Sequence, residues 1–361
     1  MGPTTMTSDP TRAGTTFMDA DPKFPIDIHK HAEQRMELPA VGGLSKTWHR
    51  FDAVSLQAIN VAIAAGRPLL VRGEPGTGKS QLARAAAALL GRRFACKVVD
   101  AHTEVADLFY SFDAVERLAR AQVAGALRTG DVGVDELMNQ LDEGNFLRPG
   151  PLWWAFNQAE AAIQDEKYRR RCHSRSRPHP TGEPQMAAGG GYVVLIDEID
   201  KTDPSVPNGL LEALGQWTFG IPGGGSICLD DASVPPLVVI TTNEERELPG
   251  AFVRRCMVLQ IHLPTDDSDL RAWLCRRGKT HFPDLADALL DQAAGLVSKD
   301  RRAALKLGIT APGQAEYLDM LRAARDLGRT DTDRKRLLDE IAIFALKKHP
   351  DLHPGADKAR R

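Results

Sequence analysis

Residues 73–80, Gly73-Glu74-Pro75-Gly76-Thr77-Gly78-Lys79-Ser80, match the pattern G-x-x-x-x-G-K-[ST]. An apolar run at 69–71 precedes them, and an alanine-rich stretch that ends at Gly91 follows. In such a strand–loop–helix setting, glycines let backbone N–H groups converge on the phosphates of a nucleotide. Lys79 would reach the β- and γ-phosphates, and Ser80 would ligate Mg²⁺. The predicted nucleotide-binding residues are Gly73, Glu74, Pro75, Gly76, Thr77, Gly78, Lys79, Ser80 and Gln81.

An acidic pair ends a second apolar run. Residues 193–196 are Val, Val, Leu and Ile, and four apolar residues in a row predict a strand buried on both faces of a parallel sheet. At its carboxyl end, Asp197 is expected to hold Mg²⁺ and Glu198 to polarise the water that attacks the γ-phosphate. Asp200 and Asp203 are expected to start and cap the next helix, so they stay outside the predicted catalytic set.

A third apolar run, residues 237–240, leads into Thr241, Thr242 and Asn243. Ligands of open α/β sheets gather at the carboxyl ends of the strands, so Asn243 is the candidate to hydrogen-bond the attacking water or the γ-phosphate. Taken alone, this asparagine would more often begin an ordinary turn. Its position after the two preceding motifs favours the catalytic interpretation.

Composition sets broad limits on the function. The chain has 361 residues, of which 42% are hydrophobic and 26% charged, and this predicts a sizeable core in two domains. A formal net charge of -2 provides no global field for nucleic acid or for an anionic membrane. No apolar run approaches the ~20 residues of a membrane span, and the N-terminus lacks a secretion signal. We therefore expect no membrane partner, a cytoplasmic location and five reduced cysteines.

Together the motifs resemble those of a known family. GEPGTGKS (73–80), VVLIDEID (193–200), VVITTN (238–243) and LPGAFVRRC (248–256) look like the Walker A, Walker B, sensor 1 and arginine-finger segments of an AAA+ ATPase. Residues 146–159 and 209–236 are similar to segments of the MoxR-like branch, in the dynein-related AAA subfamily. The second segment indicates a helix followed by a glycine-tipped hairpin. The resemblance covers about residues 45–345 and implies a P-loop NTPase αβα sandwich with a parallel sheet, followed by a small all-α lid.

The resemblance also implies a function. The chain would be a Mg²⁺-dependent ATPase that assembles as a homo-oligomer, a hexameric ring by analogy. Arg255 would complete the active site of the neighbouring subunit, with Arg254 as the fallback or as a helper on the phosphate side. The client would be a protein, with von Willebrand factor A domain proteins as the family's known associates, and the chain would remodel or mature it as a chaperone. The alternatives are a nucleic-acid-stimulated ATPase or restriction-type motor, and a scaffold that binds nucleotide but barely hydrolyses it.

Three regions are expected along the chain: a flexible N-terminal arm at 1–44, the AAA+ domain at 45–265 and the helical lid at 266–361. Order is expected to begin near Trp48. A basic, Gly-rich insertion is expected at 165–191, and a solvated loop is favoured there over a nucleic-acid contact because the segment lacks interleaved aromatic residues. The lid segment at 310–319, TAPGQAEYLD, has no arginine where AAA+ lids carry the sensor 2 residue. We assign no lid residue to that role; Lys306 and Arg322 are expected to be solvated.

Overall fold

The computed structural model describes residues 26–41, 44–126, 138–172, 190–230 and 234–347. Its strands are β1 (Arg35–Leu38), β2 (Thr47–Arg50), β3 (Leu69–Gly73), β4 (Arg93–Val98), β5 (Tyr110–Phe112), β6 (Leu147–Pro149), β7 (Tyr192–Asp197), β8 (Thr218–Gly220), β9 (Ser226–Cys228), β10 (Leu237–Thr242) and β11 (Met257–Ile261). Its α-helices are α1 (Ile28–His31), α2 (Ala53–Ala65), α3 (Lys79–Leu90), α4 (Ala114–Ala126), α5 (Pro151–Phe156), α6 (Gln158–Cys172), α7 (Ser205–Gln216), α8 (Gly250–Val253), α9 (Asp267–His281), α10 (Asp287–Lys306), α11 (Gln314–Leu327) and α12 (Asp331–Ala345).

The central sheet has the strand order β11-β3-β10-β7-β4, and every neighbouring pair is parallel. The three apolar runs of the sequence form β3, β7 and β10, which lie side by side in the middle of this sheet. Since parallel strands end at the same edge, the phosphate loop, the acidic pair and Asn243 all follow strands at one edge of the sheet.

Helices cover both faces of the sheet. Alternate residues of β3 point to opposite sides, so Leu69 and Val71 pack with Leu56 of α2 and Leu82 of α3, whereas Leu70 belongs to the core of the other face. That other core also contains Trp153, Phe156, Leu210 and Phe219, from α5, α7 and β8. This three-layer arrangement confirms the predicted αβα sandwich.

The C-terminal helices α9 to α12 form their own buried cluster, which includes Leu274, Leu289, Tyr317, Leu321 and Leu338. This confirms the predicted all-α region after the sheet. The sheet ends at Ile261 and α9 begins at Asp267. The division of the chain at 265–266 falls between them and stays a prediction.

The N-terminal segment differs from the expected arm. Residues 1–25 lie outside the described residues, but α1 and β1 precede Trp48, and β1 pairs antiparallel with β2. Ile26 and Leu38 are buried in the core that α2 and α3 line. The buried amide of Asn60 accepts a hydrogen bond from the Ile26 N–H at 3.1 Å and donates one to the Ile26 carbonyl at 2.8 Å. These long-range contacts order residues 26–41, which have no periodic apolar pattern of their own.

Two further expectations concern the periphery of the α/β region. The predicted hairpin is confirmed, because β8 and β9 pair antiparallel after α7. The predicted insertion starts at 165, yet α6 continues to Cys172, so the first basic residues are helical. Residues 173–189 lie outside the described residues. Among the described helices, none combines the length and the apolarity that crossing a bilayer requires.

Candidate functional site

The phosphate loop leaves the sheet at Gly73 and enters α3 at Gly78. A Cβ atom on Gly73 would lie 2.4 Å from the Ile261 carbonyl oxygen, so only glycine fits at the end of β3. Gly78, at φ 91°, has the left-handed conformation that glycine adopts without strain. Between them, the Thr77 hydroxyl donates to the Glu74 carbonyl oxygen at 2.9 Å. The loop thus forms a closed turn at the positive end of the α3 dipole.

The Lys79 ammonium lies inside this turn. Its Nζ atom donates to the carbonyl oxygens of Gly73 and Glu74, at 2.8 Å each. Burial lowers the Lys79 pKa, whereas the neighbouring carboxylates, Asp197 foremost, raise it. A buried cation beside the loop favours an anion, and the phosphates of a nucleotide are anions.

Three oxygen-bearing side chains meet next to the loop. The Ser80 hydroxyl donates to Oδ1 and Oδ2 of Asp197, at 2.8 and 2.9 Å. The Thr241 hydroxyl donates to Oδ1 of the same carboxylate at 2.6 Å and accepts from the Glu198 N–H at 2.9 Å. Carboxylate and hydroxyl oxygens are the hard ligands that Mg²⁺ prefers, so Ser80 and Asp197 fit that ion.

Glu198 is held at both carboxylate oxygens. Oε1 accepts from Nδ2 of Asn243 at 3.2 Å, and Oε2 pairs with Nζ of Lys201 at 2.6 Å. The residue has φ 65°, a conformation that costs a side-chain-bearing residue about 1–3 kcal/mol and is concentrated at functional sites. The structure therefore brings Glu198 and Asn243, the predicted water-polarising and sensing side chains, into direct contact.

The sequence predicts that Asp200 caps the following helix, but in the structure it does not. It lies in the short 3-10 helix Ile199–Lys201, and its buried carboxylate accepts from the N–H groups of Asn243 and Glu245, at 3.2 and 3.0 Å. Asp203, by contrast, accepts from the Ser205 N–H at 2.9 Å, at the start of α7. The prediction for Asp200 was wrong because its partners lie on the turn after β10, far away in sequence.

The helical region covers the outer side of the loop. A Cβ atom added at Gly76 would lie 3.0 Å from the Cβ atom of Ala315, and one added at Gly78 would lie 3.6 Å from Nε2 of Gln314. Pro75 lies next to Gly313, where an added Cβ would be 3.9 Å from the Pro75 carbonyl oxygen. The start of α11 therefore packs directly on the predicted phosphate-binding residues.

A narrow cleft opens beside the loop between β2, α9 and α11. Its walls include His49, Thr77, Gln81, Arg277 and Gln314. Gln81 donates from Nε2 to the Trp48 carbonyl oxygen at 2.8 Å. Nε2 of His49 and Oε1 of Gln314 are buried and have no hydrogen-bond partner within the described ranges. Two side chains that line the cleft thus each carry a buried polar atom without a partner in the described part of the chain.

Arg254 and Arg255 are exposed and lie far from the loop of their own chain. They precede β11, whose first residue, Met257, pairs with Leu69 at the start of β3. The loop follows the opposite end of β3, about 13 Å further along at ~3.3 Å per residue. The two arginines thus lie near the amino ends of β11 and β3. The other predicted site residues lie at the carboxyl ends of the strands.

The parallel sheet, the glycine turn, the buried lysine and the oxygen cluster define a P-loop nucleotide-binding fold. Residues 68–148 match the family described as AAA domain (dynein-related subfamily). The matched segment contains β3, the phosphate loop and α3, and it ends before β7. The match to this family is therefore confined to residues 68–148, less than half of the chain.

Solved structures to which the chain shows similarity include the RuvB Holliday junction branch migration motor of Thermotoga maritima and PCH-2 of C. elegans. RuvB is 16% identical over 84% of this chain and 79% of its own, with a TM-score of 0.32. PCH-2 is 11% identical over 88% of this chain and 76% of its own, with a TM-score of 0.39. A search of curated proteins found no match.

Several residues at the site were missed from sequence. Thr241, Lys201 and Asp200 each contact a predicted catalytic or metal-binding residue, yet none was assigned such a role. For Thr241 a signal existed, because a polar residue directly after a buried strand was already the argument for Asn243. For Asp200 no such signal existed, because its partner Asn243 is 43 residues away in sequence. For Lys201, three residues after Glu198, none stood out because charged residues are common in loops.

Proposed function

We propose that the chain is a Mg²⁺-dependent ATPase of the AAA+ type, with residues 45–265 as the nucleotide-binding domain and 266–361 as its lid. The observation that carries this proposal is the convergence of Lys79, Ser80, Asp197, Glu198 and Asn243 at one edge of the sheet. A buried cation, a pair of hard oxygen ligands and a carboxylate paired with an amide are the parts that phosphoryl transfer requires.

The chemical roles follow from the contacts. The loop N–H groups and Lys79 bind the phosphates of ATP, and Lys79 exchanges its loop carbonyl partners for phosphate oxygens. Ser80 and Asp197 would hold Mg²⁺, which neutralises charge on the phosphates when bound. Glu198 accepts a proton from the attacking water, and Asn243, already hydrogen-bonded to Glu198, orients that water.

We assign Arg255 to the active site of a neighbouring copy of the chain. An arginine at the γ-phosphate lowers the barrier of hydrolysis by roughly 4–7 kcal/mol, or about three to five orders of magnitude in rate. Arg255 lies near the amino ends of the strands, whereas the phosphate loop of its own chain lies at their carboxyl ends. Its guanidinium would therefore enter the active site of another subunit. A closed ring, six-membered by family resemblance, supplies such a neighbour to every site. Arg254 is the fallback for this role.

The proposed client is a protein, which the ATPase would remodel or mature as a chaperone. This step rests on the MoxR-like segments at 146–159 and 209–236, which form β6, α5, α7 and the β8–β9 hairpin. MoxR-like ATPases act with von Willebrand factor A domain proteins, and such a protein is the proposed client class. The alternative, a nucleic-acid-stimulated motor, draws on the basic end of α6, where Arg169 and Arg170 form ion pairs within the helix.

One experiment tests the proposal. Purified chain should release phosphate from ATP in the presence of Mg²⁺, and the Glu198→Gln variant should bind ATP but hydrolyse it more than about 100-fold more slowly. Lys79→Ala is the control and should abolish binding. The Glu198→Gln chain, kept in its ATP-bound form, is then used to capture its client. Salt-sensitive stimulation by DNA or RNA that is lost on neutralising Arg169 and Arg170 would support the alternative, and absence of ATP binding would refute both.

A further inference from the structure

An ion pair between a buried arginine and a half-exposed glutamate joins the helical region to the phosphate loop. Nη2 of Arg301, on α10, donates to Oε1 of Glu74 at 2.7 Å, and Nη1 lies 2.7 Å from Oε2. The Arg301 side chain is 8% exposed, whereas that of Glu74 is 48% exposed. This two-point contact fixes the position and orientation of the carboxylate, which the single ammonium of a lysine could not do.

Glu74 also makes the hydrogen bonds that hold the phosphate loop in its turn. Its carbonyl oxygen accepts from Nζ of Lys79 and from the Thr77 hydroxyl, while its side chain is held by Arg301. A continuous set of polar contacts therefore leads from α10 through Glu74 to the lysine that binds phosphate. Displacing Arg301 would release the carboxylate and loosen the turn that positions Lys79.

The same arginine also contacts the segment that covers the loop. Nη1 of Arg301 donates to the Pro312 carbonyl oxygen at 3.3 Å, one residue before Gly313, and α11 starts at Gln314. Ala315 of α11 is the residue that packs on Gly76. Arg301 thus fixes both the loop and the helix start that rests on it. The start of α11 itself contains no arginine, so the cation that reaches the loop comes from the preceding helix.

We propose that Arg301 is a positioning residue, which pre-organises the phosphate loop for nucleotide through Glu74. The inference rests on the proposed nucleotide-binding function and adds the helical region to the determinants of affinity. A loop that already has its binding conformation spends less interaction energy on ordering when the ligand arrives. Loss of the pair therefore weakens nucleotide binding, and the chemical step is affected much less.

The test is a double-mutant cycle on the affinity for a fluorescent ATP analogue with Mg²⁺. Arg301→Gln and Glu74→Gln should each raise the Kd about tenfold. The double variant should also show an increase of about tenfold, since both substitutions remove the same link. The kcat of the Arg301→Gln variant should stay within about threefold of the unmodified chain. Multiplying effects, with a rise of about 100-fold in the double variant, would overturn the proposal.

Asp300→Asn is the matched control. Asp300 is the neighbour of Arg301 on α10, and its buried carboxylate pairs with Lys347 at 2.6 Å, away from the loop. This variant should lower the Tm but leave the Kd within about twofold. An equal rise in Kd would show that Arg301 is merely structural and would overturn the proposal.

The remaining outcomes are also decisive. If Arg301→Gln does not fold, Glu74→Gln tests the link alone, because its side chain is half exposed; an unchanged Kd then overturns the proposal. If the unmodified chain binds no nucleotide, the proposed function falls and this inference falls with it. If the unmodified chain binds but Arg301→Gln binds equally well, only this inference falls.

Discussion

The Thr241 hydroxyl lies 2.6 Å from Oδ1 of Asp197 and links the strand β10 to the proposed metal-binding carboxylate on β7. It also accepts a hydrogen bond from the Glu198 N–H at 2.9 Å. One buried hydroxyl therefore positions both Asp197, the last residue of β7, and Glu198, the residue after it, although it is itself not expected to contact nucleotide or metal.

Thr241→Val keeps the shape of the side chain but removes the hydroxyl. We expect the Mg²⁺ concentration for half-maximal ATPase activity to rise about 10- to 100-fold, the usual effect of losing a hydrogen bond to a metal ligand. A Mg²⁺ titration of ATPase activity measures it. Thr242→Val is the control, since its equally buried hydroxyl accepts from the Glu244 N–H instead. Equal shifts in both variants would contradict a specific role for Thr241.

Asp200 provides the second prediction. Its carboxylate fixes the N–H groups of Asn243 and Glu245, so Asp200→Ala should let the Asn243 side chain leave Glu198. We expect kcat to fall about 10- to 100-fold while the nucleotide Kd stays within about twofold, because the phosphate loop is untouched.

Asp200→Asn retains one acceptor oxygen and should recover part of the rate. Asp203→Ala is the matched control, because that exposed carboxylate binds only the entry to α7. A large rise in Kd for Asp200→Ala would show that the variant disturbs the loop as well.

The proposed exchange of arginines between subunits predicts complementation. Arg255→Ala chains retain a complete loop but donate no arginine, while Lys79→Ala chains donate an arginine but cannot use their own loop. Each variant alone should be inactive, and mixing them before assembly should restore a fraction of the ATPase activity at mixed interfaces. Arg254→Ala mixed with Lys79→Ala distinguishes the two neighbouring arginines. Full activity of Arg255→Ala alone, or of a chain that stays monomeric, would contradict the exchange.

The sequence predicted the centre of the fold because its signals are local. The runs at 69–71, 193–196 and 237–240 are contiguous and apolar, and they became β3, β7 and β10. The glycine pattern at 73–80 likewise specifies its turn through residues within the turn itself. Convergence of Glu198 and Asn243 then follows from parallel strands that end at one edge.

Contacts between distant segments could not be predicted in this way. Asp200 bonds to a turn 43 residues away, and Arg301 reaches Glu74 across 227 residues. Neither residue differs from an ordinary surface charge until the fold is known. The ordering of residues 26–41 has the same cause, because it depends on two buried side chains and on Asn60 rather than on any periodic pattern.

The last prediction concerns pH and the folded state. His49 is 8% exposed, and its Nε2 atom has no partner in the described part of the chain. Burial, followed by the charges of Arg277 and His281, lowers the His49 pKa to about 3. The unfolded chain, with an ordinary pKa near 6.5, takes up the proton first as the pH falls. Stability from this residue is therefore complete above about pH 6.5 and decreases towards pH 3.

Between pH 7 and pH 5, the loss from His49 should be about 2 kcal/mol of unfolding free energy, at ~1.4 kcal/mol for each pH unit below 6.5. Urea denaturation at the two pH values measures it. Burial also lowers the pKa of His281, to about 4, so that residue loses stability over the same pH range. Comparison of the unmodified chain with His49→Gln therefore isolates the contribution of His49. The variant should lose about 2 kcal/mol less than the unmodified chain over this interval. Equal losses in both chains would mean that His49 is accessible to protons in the folded state.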